Sequence, residues 1–147
     1  MKKITIYTDG GARGNPGPAA IGVAFLNEKN QVFKEYSHYL GGKFTNNEAE
    51  YHAVIFALKK FKLLFGKKPA KVSEIELKSD SELLIKQLNG KYKISDKKIQ
   101  ELFLELWNLK LDFQKVKFSY ISRNKNKLAD SLVNQALDKQ AKMQKLF

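Results

Sequence analysis

The sequence predicts a mixed α/β sheet with helical cover, on three observations. Three closely spaced strand-like segments open the chain, and their short connections favour antiparallel pairing. Two later strand-like segments each follow a helical stretch, so their connections cross over and imply parallel neighbours. The order along the chain reads β-β-β-α-β-α-α-β-α. In such sheets ligands sit beyond the carboxyl ends of the parallel strands.

Each element has a local reason. Ile4, Ile6 and Thr8 alternate with Thr5, Tyr7 and Asp9, which gives a first strand over about 2–9. The glycine- and proline-rich stretch 10–18 reads as a long turn, 19–27 as a second strand and 31–40 as a third. A helix starts near Asn46, with Thr45 as N-cap and Glu48 at the capping-box position. Val54, Ala57, Leu58, Phe61, Leu64 and Phe65 continue it at helical spacing until Gly66, with Pro69 beyond. Residues 73–79 form a fourth strand, and a short helix from Ser81 to Leu88 closes at Asn89-Gly90. Ser95 or Asp96 opens a further helix to about Lys110, 115–121 form the fifth strand, and a last helix starts near Lys127.

Composition narrows the function. The 147 residues suit a single domain, 1–147, with a real core. No apolar run approaches the ~20 residues that span a bilayer. Met1 to Ile6 leads at once into a polar Thr8-Asp9-Gly10-Gly11, unlike a signal peptide, so a cytoplasmic monomer without a membrane partner is expected. There is no cysteine, which excludes disulfides and thiolate zinc sites. Only His38 and His52 offer imidazole, so any metal should be a hard cation held by oxygen. Lys and Arg total 27 against 15 acids, a net charge of +12 that suits a polyanionic partner, nucleic acid or an anionic membrane surface.

Against that basic background, four acids fall at structurally telling points. Asp9 ends the first strand, Asp80 ends the fourth, and Asp130 lies in the first turn of the last helix. The fourth comes from the first turn of the long helix, where Glu48 and Glu50 compete. Glu50 shares the stripe of Val54, Ala57, Phe61 and Leu64, which packs on the sheet. Glu48 shares a face with His52 and Lys59 and has a capping task, so Glu50 is assigned to the chemistry. Each acid alone has a plain structural reading as a turn former, a cap or a surface residue. Together they suggest a shared site. Close carboxylates repel one another, and divalent cations make the cluster tolerable. Two Mg²⁺ ions about 4 Å apart can clamp a phosphodiester, one activating water and the other stabilising the leaving 3′ oxygen.

The local wording of the chain adds a resemblance. Tyr7-Thr8-Asp9-Gly10-Gly11 followed by Gly14-Asn15-Pro16-Gly17-Pro18 resembles the opening motif of type 1 ribonucleases H. Thr45-Asn46-Asn47-Glu48-Ala49-Glu50 is similar to that family's TNNxxE segment, and Ser79-Asp80-Ser81 to its third acidic motif. Asn126-Lys127-Leu128-Ala129-Asp130, followed by Leu132, Asn134 and Ala136, resembles the fourth. The resemblance implies a ribonuclease H-like fold: a five-stranded mixed sheet, three antiparallel strands then two parallel, flanked by helices. It implies that Asp9, Glu50, Asp80 and Asp130 bind two Mg²⁺, with Mn²⁺ as a substitute. The implied reaction is hydrolysis of the RNA strand of an RNA–DNA hybrid to 5′-phosphate and 3′-hydroxyl ends. By the same matching Asn15 and Asn46 help read the RNA strand, and Thr45 and Asn47 hold a phosphate of the DNA strand. Contacts to sugar and phosphate should dominate over bases.

There are two departures from the family pattern. The loop Ile121-Ser122-Arg123-Asn124-Lys125-Asn126-Lys127 lacks the histidine that many relatives carry, and Arg123 could bind phosphate there but cannot act as a base. A long basic protrusion is replaced by the short stretches Lys91-Tyr92-Lys93 and Lys97-Lys98. At the other end, residues 140–147 resemble a sliding-clamp-binding peptide, with Gln140, Met143, Leu146 and Phe147 at the characteristic positions. The plain alternative is that the last helix packs Leu146 and Phe147 onto the domain. Two other functions compete with the main one: a hybrid- or duplex-binding module without activity, and another two-metal nuclease of the same fold.

Overall fold

The alternation at the start of the chain builds three strands, β1 (Lys2–Ala12), β2 (Gly17–Leu26) and β3 (Val32–Phe44), in a computed structural model that describes residues 2–147. All three are longer at the turn-proximal end than the sequence suggested. Gly10, Gly11 and Ala12 pair with Ile21, Ala20 and Ala19 and so continue the ladder rather than turning. The long turn shrinks to residues 13–16, closed by the Arg13 N–H donating to the Pro18 carbonyl at 2.8 Å. Asp9 is therefore inside β1 and not at its end, with Gly22 as its ladder partner.

The remaining strands are β4 (Ser73–Ser79) and β5 (Lys115–Tyr120), and the sheet order is β3-β2-β1-β4-β5. The β1–β2 and β2–β3 pairs are antiparallel, whereas β1–β4 and β4–β5 are parallel. The mixed sheet is thus the one expected.

Helix α1 (Asn46–Phe65) starts with a complete capping box. The Glu48 N–H donates to Thr45 Oγ1 at 3.1 Å, and the Thr45 N–H donates to Glu48 Oε1 at 2.9 Å. Thr45→Ala removes one half of it and is expected to cost about 1 kcal/mol, a drop in Tm of roughly 3 °C in a thermal melt. The buried face of α1 ends at Phe61. Leu64 and Phe65 were expected in the core, yet both are exposed, with Phe65 leaning on Phe33 at the rim and on the buried Phe61. A short helix α2 (Lys67–Lys71) follows, which the breakers Gly66 and Pro69 had concealed. Helix α3 (Glu82–Leu88) is capped by Ser81 and α4 (Lys97–Lys110) by Asp96 rather than Ser95. The last helix, α5 (Lys127–Leu146), is preceded by an unforeseen 3₁₀ turn over Arg123–Lys125.

The helices make two layers of unequal weight. On one face the main core joins Ile6, Phe25, Tyr51, Leu58, Leu77 and Leu106, all almost fully buried. On the other, α5 packs through the smaller cluster of Ala20, Val133, Ala136 and Leu137, with Tyr39 against it. Full burial of a large apolar side chain contributes roughly 1.5–3 kcal/mol, so the first cluster anchors β1 and β4, the strands beside which two of the acids stand. No helix among the described residues is long and apolar enough to cross a membrane.

Candidate active site

β1 and β4 pair in parallel as far as Tyr7 and Lys78. Asp9 and Asp80 each stand two residues past that last rung, so their carboxylates arise side by side where the strands part. Two glycines then let helices close in from opposite faces. A Cβ on Gly10 would overlap the main chain of Ala49, so the first turn of α1 lies directly on β1. The Gly10 N–H donates to Glu50 Oε1 at 2.7 Å, which fixes that carboxylate over the strand. A Cβ on Gly22 would overlap the main-chain oxygen of Ala129, so the first turn of α5 lies on β2 beside Asp9 and carries Asp130 with it. Asp9, Glu50 and Asp80 each offer a carboxylate oxygen within 4.8 Å of the others. Asp130 is exposed and outside this tight trio, but it lines the same cleft, of about 420 Å³. Glu48 stays with its cap and does not line the cleft.

Comparison with known proteins agrees with this arrangement. A family model described as "Reverse transcriptase-like" matches residues 7–136. The structure of LC11-RNase H1, isolated from compost, superposes with a TM-score of 0.87 at 44% identity, over 96% of this chain and 99% of that one. The chain belongs to the ribonuclease H family. A ribonuclease HI of Halobacterium salinarum is 35% identical over 92% of this chain and 65% of its own length. A bifunctional protein of Mycobacterium tuberculosis is 31% identical over 92% of this chain, but the match spans only 36% of that relative.

Ribonucleases H depend on divalent metal, and the electrostatics of this member fit such an ion. Burial, then the Asp80 and Asp130 charges, raise the Asp9 carboxyl to about 7, against weaker help from the Gly10 N–H and Arg123. Glu50 is raised for the same reasons, burial first and Asp9 and Asp80 next. Burial also raises Asp80, opposed by Asn126 and Arg123. Three acids whose charged forms are all less favoured than in a free carboxyl lack positive charge, and hard oxygen donors at this spacing suit a small dication.

Only some of the other predicted residues lie at the cleft. The Ala12 N–H donates to Asn46 Oδ1 at 2.9 Å, and the Asn46 N–H donates to Asn15 Oδ1 at 3.0 Å. These two side chains clasp the β1–β2 turn to the start of α1. Asn46 and Arg123 line the cleft, whereas Asn15, Thr45 and Asn47 do not. Asn47 Oδ1 is buried with no partner among the described residues. Tyr92 is held by Lys86, whose Nζ donates to its hydroxyl at 3.2 Å. Gln140, Met143, Leu146 and Phe147 belong to the far end of α5, away from the cleft-lining residues. Sequence reasoning placed Asn126 in the fourth motif but gave it no role, although it is fully buried beneath the acids, and it missed Arg13, which lines the cleft and pairs with Asp138 at 2.6 Å. The spacing of Asn126, four residues before Asp130 at a helix start, was the available signal for the first.

Proposed function

We propose that this ribonuclease H domain, 1–147, hydrolyses the RNA strand of RNA–DNA hybrids to 5′-phosphate and 3′-hydroxyl ends. Asp9, Glu50, Asp80 and Asp130 hold two Mg²⁺ ions, which Mn²⁺ can replace. The observation that carries the reading is the carboxylate trio within 4.8 Å in a chain of net charge +12. A pure binding module gains nothing from clustered negative charge facing phosphates. LC11-RNase H1, 45% identical, has been solved in complex with RNA/DNA hybrid, which supports the same substrate here. When bound, the ions supply an activated water and stabilise the leaving 3′ oxygen. The chain's own part is positioning. Basic residues draw in the backbone, Asn15 and Asn46 contact the RNA strand, and the N-terminus of α1 with Thr45 and Asn47 holds a DNA-strand phosphate. Arg123, at the cleft wall, is suited to a phosphate near the acids.

The deciding measurement compares Mg²⁺-dependent cleavage of a hybrid, a double-stranded RNA and a double-stranded DNA of one sequence. Hybrid cleavage with inert DNA duplex is expected; preferential cutting of the DNA duplex indicates another two-metal nuclease, and binding without cleavage indicates the passive module.

We further propose that residues 140–147 bind a DNA sliding clamp. Leu146 is 79% exposed and Phe147 fully so, which disfavours the alternative in which they pack on the domain. Met143, Leu146 and Phe147 thus remain free to fill an apolar pocket from one helical turn. Changing Leu146 and Phe147 to Ala is expected to abolish clamp binding in calorimetry while leaving hybrid cleavage within twofold. A parallel loss of folding would instead assign the tail to the domain.

A further inference from the structure

Asn126 is the only buried polar side chain in the loop that leads into α5, and its bonds run to three separate parts of the acid cluster. Its Nδ2 donates to the Thr8 carbonyl at 2.9 Å, one residue before Asp9. The same side chain approaches the Asp80 carboxylate. Its main-chain carbonyl accepts from the Asp130 N–H at 3.1 Å, and its own N–H donates to the Arg123 carbonyl at 3.0 Å. Thr8, fully buried, ties on to β4 through Oγ1 donating to the Lys78 carbonyl at 3.3 Å. One side chain therefore spans the end of β1, the end of β4 and the start of α5.

The acceptor end carries a second signal. Asn126 Oδ1 is buried and has no partner among the described residues. Leaving a buried acceptor unmade is unfavourable, and an apolar residue of similar size would avoid it. The amide is thus oriented by what its donors reach, at the expense of its oxygen.

We propose that Asn126 is a positioning residue for the metal site, setting the spacing of Asp9, Asp80 and Asp130 by bridging Thr8, the Asp80 carboxylate and the first turn of α5. It does not touch substrate. The proposal rests on the reading of the four acids as metal ligands. Outer partners of metal ligands typically change affinity or activity 10–100-fold, and Asn126 belongs to that class by its contacts.

The test is Asn126→Ala, followed by calorimetric titration of the substrate-free protein with Mn²⁺ and by hybrid cleavage across Mg²⁺ concentrations. The Mn²⁺ Kd is expected to weaken, and the half-saturating Mg²⁺ to rise, by about tenfold or more. Hybrid KM at saturating metal should stay within twofold. Should Asn126→Ala not fold, Asn126→Ser, which keeps a small side chain and one donor, carries the same measurements. Unaltered Mn²⁺ affinity in a folded variant, or failure of both variants to fold, overturns the positioning role. Wild-type protein that binds no Mn²⁺, or Asp9→Asn that binds it equally well, would overturn the acid site itself.

Discussion

Asp9→Asn is expected to lower hybrid cleavage by more than about 10²-fold, since loss of a ligand should exceed the 10–100-fold typical of outer partners, and yet to stabilise the metal-free protein at neutral pH. The sign follows from proton linkage. The folded carboxyl is raised from 3.8 to about 7, so between those values the native state holds more protons than the unfolded one. Wild-type stability therefore falls as pH rises from about 4 through 7. The asparagine carries no charge to desolvate and escapes that fall. At pH 8 the metal-free variant should exceed wild type by on the order of 2–4 kcal/mol, several degrees in Tm, whereas at pH 4 the two should converge. Mg²⁺ should raise the wild-type Tm more at pH 8 than at pH 5. Melting curves with chelator across this range check the claim, and equal pH dependence in both proteins would contradict it.

The second large effect is expected at Gly22. Gly22→Ala places a methyl group against the main-chain oxygen of Ala129 and close to Leu132 Cβ. Neither the strand nor the first turn of α5 can yield without moving Asp130 away from Asp9. Overpacking of this kind costs about 1–3 kcal/mol, and activity should fall far more than stability, since a displacement of about 1 Å can cost roughly 100-fold. Gly42→Ala is the matched control, because a Cβ there meets nothing within 4 Å. Thermal melts alongside kcat on a hybrid separate the two effects. A Gly22→Ala enzyme with wild-type kcat would show that α5 does not set the position of Asp130 through this contact.

Much of the architecture was legible because it follows from periodicity. The face that carries Val54, Ala57 and Phe61 also carries Glu50, and that single fact distinguishes it from Glu48 in the sequence alone. The cap at Thr45 could be read from equally local spacing, and the one before α4 only as Ser95 or Asp96. What could not be read was set by contacts between distant segments. Gly10-Gly11 looked like a turn because glycine is common in turns. In the fold Gly10 is a strand residue kept bare so that a helix can lie on it. Leu64 and Phe65 fit the helical stripe, but the stripe outlasts the buried surface it serves. Asn126 looked like a loop residue, since its burial exists only once the loop has folded under β1. The spacing of Asp9, Glu50 and Asp80 likewise depends on where two strands part, which no local pattern encodes.

The continuation of β1 past Asp9 has a mechanical consequence. Three further rungs, Gly10–Ile21, Gly11–Ala20 and Ala12–Ala19, separate that carboxylate from the tip of the hairpin. The tip, clasped to α1 through Asn15 and Asn46, is the part assigned to gripping a strand of nucleic acid. A displacement of the tip therefore has two routes inward: along the ladder to Asp9, and through Asn46 to Glu50 one helical turn further on in α1. Hold on the hairpin tip and placement of the Glu50 carboxylate are thus mechanically joined, so a change at Asn15 reaches the acids through the helix as well as through the sheet.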